Sequence, residues 1–137
     1  MGNKLKISAT IDAPLKEVWE KWTQEAHIIQ WNFATDEWHC PSSNNDLRVG
    51  GKFNNRMEAK DGSFGFDLEG VYTAVEKHQL IAYDLADQRH VEVHFTEKND
   101  QTIINSTFEA EDQNSEELQQ NGWQAILNNF KNYVEHR

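Results

Sequence analysis

The chain has 137 residues, 37% of them hydrophobic and 26% charged, and a formal net charge of -10. That length fits one domain over residues 1–137 with room for a real core, and the acidic balance argues against nucleic acid, whose phosphates it would repel. The lone Cys40 excludes an intramolecular disulfide; with no signal-type apolar run and none long enough to cross a bilayer, the expected setting is the cytoplasm without membrane insertion.

Residues 3–11 alternate, with Leu5, Ile7, Ala9 and Ile11 on one side, as in a half-buried strand. Asp12 then offers an N-cap and Pro14 suits the first turn of a helix. Leu15, Val18, Trp19 and Trp22 follow at helical spacing and form one apolar face. Thr23 can cap a second short helix carrying Ile28 and Trp31. Residues 32–46, rich in turn formers around Cys40-Pro41-Ser42-Ser43, read as irregular, followed by a short strand from Leu47 to Val49 and a turn or bulge at Gly50-Gly51.

Hairpins come next. Lys52 to Ala59 and Phe64 to Val75 flank Lys60-Asp61-Gly62-Ser63. Pairing Ala59 with Phe64 gathers Phe53, Asn55, Met57, Phe66, Leu68 and Tyr72 on one face. It sets Arg56 against Asp67 and Asn54 against Glu69 on the other. Leu80 to Ala86 is a further strand. His90 to Lys98 and Thr102 to Ala110 pair around Asn99-Asp100, with Phe95 opposite Ile104, Val93 opposite Ser106 and Val91 opposite Phe108. Asn114 or Ser115 caps a last helix with Glu116 and Glu117 in its first turn and Lys131, His136 and Arg137 near its end, signs that suit the dipole. Its stripe of Trp123, Ile126, Leu127, Phe130 and Val134 faces the sheet, and Gly122 suggests close approach to a neighbour.

The order is one strand, two short helices, six strands and one long helix, an α+β pattern whose sheet needs its apolar face covered. Trp19, Trp22, Trp31 and Trp38 either fill core or line a ligand mouth, their indoles combining apolar area with one N–H donor. Asn55 and Ser106 fall on the inward face, where polar groups bond to backbone and buried water or orient a ligand. His90 and His94 share a strand face with Glu92, a pattern zinc could use. The register puts that face in solvent, so no metal site is expected there. Asp36, Glu37, His39 and Cys40 match no metal spacing, and Cys40 has no base placed to activate it. No nucleotide or cofactor fingerprint and no nucleophile elbow occurs, so no cofactor and no catalytic residue is assigned; acid–base work by Tyr83 or Asp84 lacks a positive signal.

Ala13-Pro14, Val18-Trp19, Trp22-Thr23, His27, Trp31, Asp46-Leu47-Arg48-Val49-Gly50-Gly51, the block from Arg56 to Gly62, Glu69-Gly70-Val71-Tyr72, the strand from Val93 to Thr96, and Gly122-Trp123 with Leu127 occur in this order along nearly the whole chain. In them the chain resembles the heat-shock-protein-90 ATPase activator homologue-like family of the START-like superfamily. The resemblance implies the helix-grip fold, a curved antiparallel sheet wrapped around a long C-terminal helix, with two short helices after the first strand. It also implies a cavity between sheet and last helix.

The expectation is a container for a small apolar or aromatic ligand. Its ligand-binding candidates are Trp19, Trp31, Phe53, Asn55, Met57, Phe66, Leu68, Tyr83, Val93, Ile104, Ser106, Trp123 and Phe130. Relatives of this kind leave two other classes open, a cyclase- or aromatase-like enzyme and a module that regulates a chaperone ATPase.

Overall fold

A computed structural model describes residues 3–136; Arg137, expected beside the last helical turn, lies outside them. In chain order the elements are β1 (Lys4–Ile11), α1 (Leu15–Thr23), α2 (Glu25–Trp31), β2 (Trp38–Asn45), β3 (Lys52–Ala59), β4 (Gly65–Glu76), β5 (Leu80–Leu85), β6 (His90–Lys98), β7 (Gln101–Glu109) and α3 (Glu116–Glu135). The seven strands form one sheet in the order β1-β7-β6-β5-β4-β3-β2, with every neighbouring pair antiparallel. The sheet curls into a half-barrel around α3, and the short helices close it. This is the helix-grip architecture.

The inner hairpins keep the expected register. Arg56 pairs with Asp67, Asn54 with Glu69, Phe95 with Ile104, Val93 with Ser106 and Val91 with Phe108. A one-residue slip would turn Phe53, Met57, Val93 and Ile104 outward, so burial of one face fixes the pairing. The core joins that face to Val18, Trp19, Ile28 and Trp31 of the short helices and to Leu127, Phe130 and Val134 of α3.

Several local expectations are corrected. Pro14, extended at ψ 152, is the N-cap of α1, and the Asp12 N–H donates instead to Glu135 Oε2 at 2.8 Å. Gln24, not Thr23, is the N-cap of α2; the Thr23 hydroxyl donates back to Trp19 O at 2.8 Å, as helical threonines do. Residues 38–45 are not irregular but form an edge strand. Its ladder shifts between His39 and Ser42, so a bulge absorbs Pro41 where no ladder donor is required. Leu47 to Val49 is no strand, and Val49 is exposed. Gly122 meets no neighbour among the described residues, since a Cβ there would find open space. Ser115 does cap α3, accepting from the Leu118 N–H at 3.1 Å.

α3 also covers the outer edge of β1. Gln120 Nε2, Gln124 Nε2 and Lys131 Nζ donate to the carbonyls of Lys6, Ser8 and Thr10 at 2.8, 3.0 and 2.7 Å. These bonds satisfy acceptors that an open edge would offer to another strand.

Candidate functional site: a cavity between sheet and helix

The curled sheet does not close fully on α3. A cavity of about 300 Å³ remains, at the lower end of ligand pockets, which run from roughly 300 to 1,000 Å³. Phe53, Met57, Phe66, Leu68, Tyr72, Ile81, Tyr83 and Val93 line it from the sheet, Trp123, Ile126 and Leu127 from α3, and Trp22, Ile28 and Trp31 from the short helices.

Of the residues singled out in the sequence, Trp31, Phe53, Asn55, Met57, Phe66, Leu68, Tyr83, Val93, Ser106 and Trp123 face this space. Trp19, Ile104 and Phe130 do not. Trp19 is buried edge-on against Phe95 with ring centroids 5.2 Å apart. Ile104 is fully buried in the core, and Phe130 is clamped between Trp22 and Trp31 at 4.9 and 4.8 Å. Their apolar periodicity is real, but it serves the packed core beside the cavity. Ile7, Ile28, Tyr72, Ile81, Ile126 and Leu127 are lining residues that the sequence marks only as apolar, and Trp22 is one of the four tryptophans weighed there between core and ligand mouth. Thr23, Asn32, Asn45 and Arg89 also reach the cavity, and nothing in their spacing distinguishes them from surface residues.

Tight backbone approach shapes one wall. Gly70 pairs with Phe53 across the β3–β4 ladder. A Cβ on Gly70 would sit 2.5 Å from the Phe53 ring, so only glycine lets that ring lie over the strand. The ring is then framed by Tyr72 and Tyr83 at 5.4 and 4.9 Å.

The polar lining falls into two groups. Tyr72 donates its hydroxyl to Asn45 Oδ1, Asn45 Nδ2 donates to Thr23 O at 2.7 Å, and Ser43 donates to Asn55 Oδ1 at 2.6 Å. These bonds tie β2, β3, β4 and the end of α1 into one polar seam. The hydroxyls of Tyr83 and Ser106, by contrast, have no protein partner among the described residues, and neither is sealed from space that a small molecule can enter. Burial pushes the phenols of Tyr72 and Tyr83 far above the usual tyrosine range, so both stay neutral; at Tyr83 the nearby charge of Arg89 opposes the effect.

Among the described lining residues no Asp, Glu, His, Lys or Cys occurs. Asp84, weighed in the sequence as a cavity acid or base, is exposed and sits 2.7 Å from His90 Nδ1 on the outer face. Cys40 is buried on the edge strand, where desolvation pushes its thiol up to about 11 and leaves it protonated. His90 and His94 both contact Glu92, at 3.0 and 3.2 Å, and no three His, Cys, Asp or Glu side chains among the described residues are arranged to hold a metal ion. No described helix is long and apolar enough to cross a membrane.

A curled antiparallel sheet gripping a long C-terminal helix around an apolar cavity defines a START-like α+β protein. Within that class the chain belongs to the family described as Activator of Hsp90 ATPase homolog 1-like protein, which it matches over residues 12–135. It is similar to the solution structure of the AHSA1-like protein from Aeromonas hydrophila, at 42% identity and a TM-score of 0.92, over 98% of this chain and 93% of that one. It is also similar to Chr148 from Cytophaga hutchinsonii, at 47% identity and a TM-score of 0.85, over 98% and 94% of the two chains. Protein CV1439 from Chromobacterium violaceum shares the fold at 18% identity, with a TM-score of 0.87 over 97% of this chain and 98% of that one. No protein of curated function matches the chain.

Proposed function

We propose that the protein binds a small, largely apolar or aromatic molecule in the cavity between sheet and α3. One observation carries the reading: about 300 Å³ of space is walled by aromatic and aliphatic side chains, yet holds hydroxyls at Tyr83 and Ser106 that no group among the described residues satisfies. Affinity then comes mainly from apolar burial, at roughly 25 cal/mol per Å² before ordering costs, and the free hydroxyls orient the guest. The lining residues named from the sequence are the contact set.

The enzyme alternative is weaker on the same grounds. General acid–base chemistry needs a group that titrates near the working pH. The lining supplies two phenols held neutral and one guanidinium. A chaperone-regulating role would use exposed apolar surface such as Phe64 and Phe66 at the β3–β4 tip beside Trp38; Phe66 also reaches the cavity, and the formed cavity favours the ligand reading.

Native mass spectrometry of freshly purified protein tests the proposal. We expect a small organic molecule retained on a fraction of the chains and displaced by a planar apolar probe such as 8-anilinonaphthalene-1-sulfonate. A mass equal to the bare chain, with no saturable binding of that probe or of 2-naphthylmethanol, would refute it.

A further inference from the structure

Arg89 is the anomaly of the cavity. Among the described lining residues it alone carries a formal charge. It sits just after the β5–β6 turn, where Gln88 takes the left-handed conformation at φ 78 and the Leu85 N–H donates to Arg89 O at 2.8 Å. A non-glycine residue at positive φ is uncommon and sterically disfavoured, so this turn holds the Arg89 backbone in one place at some expense.

Asp87 fixes the side chain as well. One carboxylate oxygen accepts from the Arg89 N–H at 3.2 Å and the other from Arg89 Nε at 2.8 Å. A surface pair would send both charged groups outward. Here Asp87 keeps 53% of its side chain exposed while Arg89 keeps 23%. The cation therefore leans inward, and its charge is felt at the Tyr83 hydroxyl deep in the fold. Asp87 uses the Nε edge only; the two terminal nitrogens make no hydrogen bond to any described residue. A guanidinium with that end free presents parallel N–H donors that match the two oxygens of a carboxylate. Two further carboxylates act on its surroundings: Glu111, within electrostatic reach of Arg89, and Glu109, which accepts from the His90 N–H at 2.6 Å. Neither bonds to the guanidinium.

We infer that the cavity takes an apolar molecule bearing one carboxylate, its hydrocarbon body against Phe53, Leu68 and Trp123 and its carboxylate on the terminal nitrogens of Arg89, with the Tyr83 hydroxyl as a further donor. This deepens the ligand-binding reading and rests on it. The protein is strongly acidic overall, so a general attraction for anions does not account for such binding; recognition is local and pre-organised. Pinning by Asp87 removes rotamers that an unrestrained arginine would lose on binding.

Two probes of matched shape separate the claims, 2-naphthoate and 2-naphthylmethanol, titrated calorimetrically at neutral pH into the full chain. We expect 2-naphthoate to bind about tenfold or more tightly, as charge-assisted hydrogen bonds require. In Arg89→Gln the ratio should collapse toward one, and in Arg89→Lys, which keeps charge without the fork, it should fall in between. The readout is a ratio within each variant, so a general loss of stability cancels. If Arg89→Gln does not fold, the wild-type ratio still decides. Equal or tighter binding of 2-naphthylmethanol overturns the carboxylate inference and leaves the cavity reading standing. Failure of both probes overturns both. A ratio unchanged in Arg89→Gln shows that another group selects the acid and likewise overturns the assignment to Arg89.

Discussion

The Trp123 indole lies flat on the Phe108 ring, with centroids 4.1 Å apart and planes within 6° of parallel. Phe108 is fully buried, whereas Trp123 is only half-buried and lines the cavity. The indole is therefore packed against the sheet and also open to existing space. Truncating a large aromatic inside a solid core costs about 3–5 kcal/mol. Trp123→Ala should cost less, about 1–2 kcal/mol, because part of its surface has no packed contacts to lose. Urea denaturation measures the stability, and titration with 8-anilinonaphthalene-1-sulfonate should show altered uptake. Severe destabilisation with unchanged uptake would make Trp123 a purely structural residue.

Gly70→Ala tests the opposite wall. The new methyl would stand 2.5 Å from the Phe53 ring and 2.9 Å from the Asp84 carbonyl. The backbone carbonyl is fixed by the ladder, so the ring gives way, and its open side is the cavity. We expect about 1–3 kcal/mol of destabilisation, as for other overpacking changes, together with a clear loss of probe binding in a protein that keeps its far-ultraviolet circular dichroism. Unaltered probe affinity would mean that Phe53 has somewhere else to go.

The hairpins were readable because burial of one face leaves a single register for Phe53, Met57, Val93 and Ile104. The edge strand was not. Cys40-Pro41-Ser42-Ser43 has turn chemistry, and only the bulge between His39 and Ser42 lets it join a sheet. Within the site, apolar alternation located the walls but could not separate core from cavity. Ile104 and Val93 share a face and a pattern, yet one is sealed and the other lines open space. Arg89 was invisible because a charged residue beside a turn reads as solvated. Its inward lean depends on Asp87 and on the left-handed Gln88, which are three-dimensional facts.

Thr102 is fully buried at the start of β7, and its hydroxyl donates to the Ala13 carbonyl at 2.9 Å. That bond ties the approach to α1 onto the sheet. Thr102→Val keeps the shape but leaves the carbonyl without this donor. A buried acceptor stripped of its partner costs about 1–3 kcal/mol, and Thr102→Ser, which keeps the hydroxyl, should cost less than the valine variant. Thermal melts of the two variants check the order; a valine variant as stable as the wild type would show that water reaches the Ala13 carbonyl.

The outer cluster of His90 predicts a pH dependence. Its two ring nitrogens lie 2.7 Å from Asp84 and 3.0 Å from Glu92. The hydrogen bond to Asp84 chiefly, with a further one to Glu92, raises its pKa above the ordinary histidine value, while bonds from His90 and His94 lower that of Glu92. A raised histidine contributes its full stabilisation below the unfolded value of about 6.5 and loses it as pH rises through the native value. A depressed glutamate contributes above about 4.3 and loses its share as pH falls through the native value. The cluster thus stabilises most between those limits, by less than about 1 kcal/mol because it is exposed. The stability gap between wild type and His90→Gln should be larger near about pH 5.5 than near about pH 8.5. A gap that grows with pH would contradict the assignment.

Gly122 lies within α3, and a Cβ built on it meets nothing within 4 Å. Glycine inside a helix costs roughly 0.5–1 kcal/mol relative to alanine, because the unfolded chain loses more freedom on folding. No packing demand offsets that cost here, so Gly122→Ala should stabilise the protein by about that amount. Since the added methyl points into open space and its neighbour Trp123 keeps its stack on Phe108, uptake of 8-anilinonaphthalene-1-sulfonate should stay as in the wild type. A raised urea midpoint with unchanged probe affinity is the expected pair of results. A lowered midpoint would mean that the glycine is required by a contact outside the single folded chain, such as a partner seated against this face of α3.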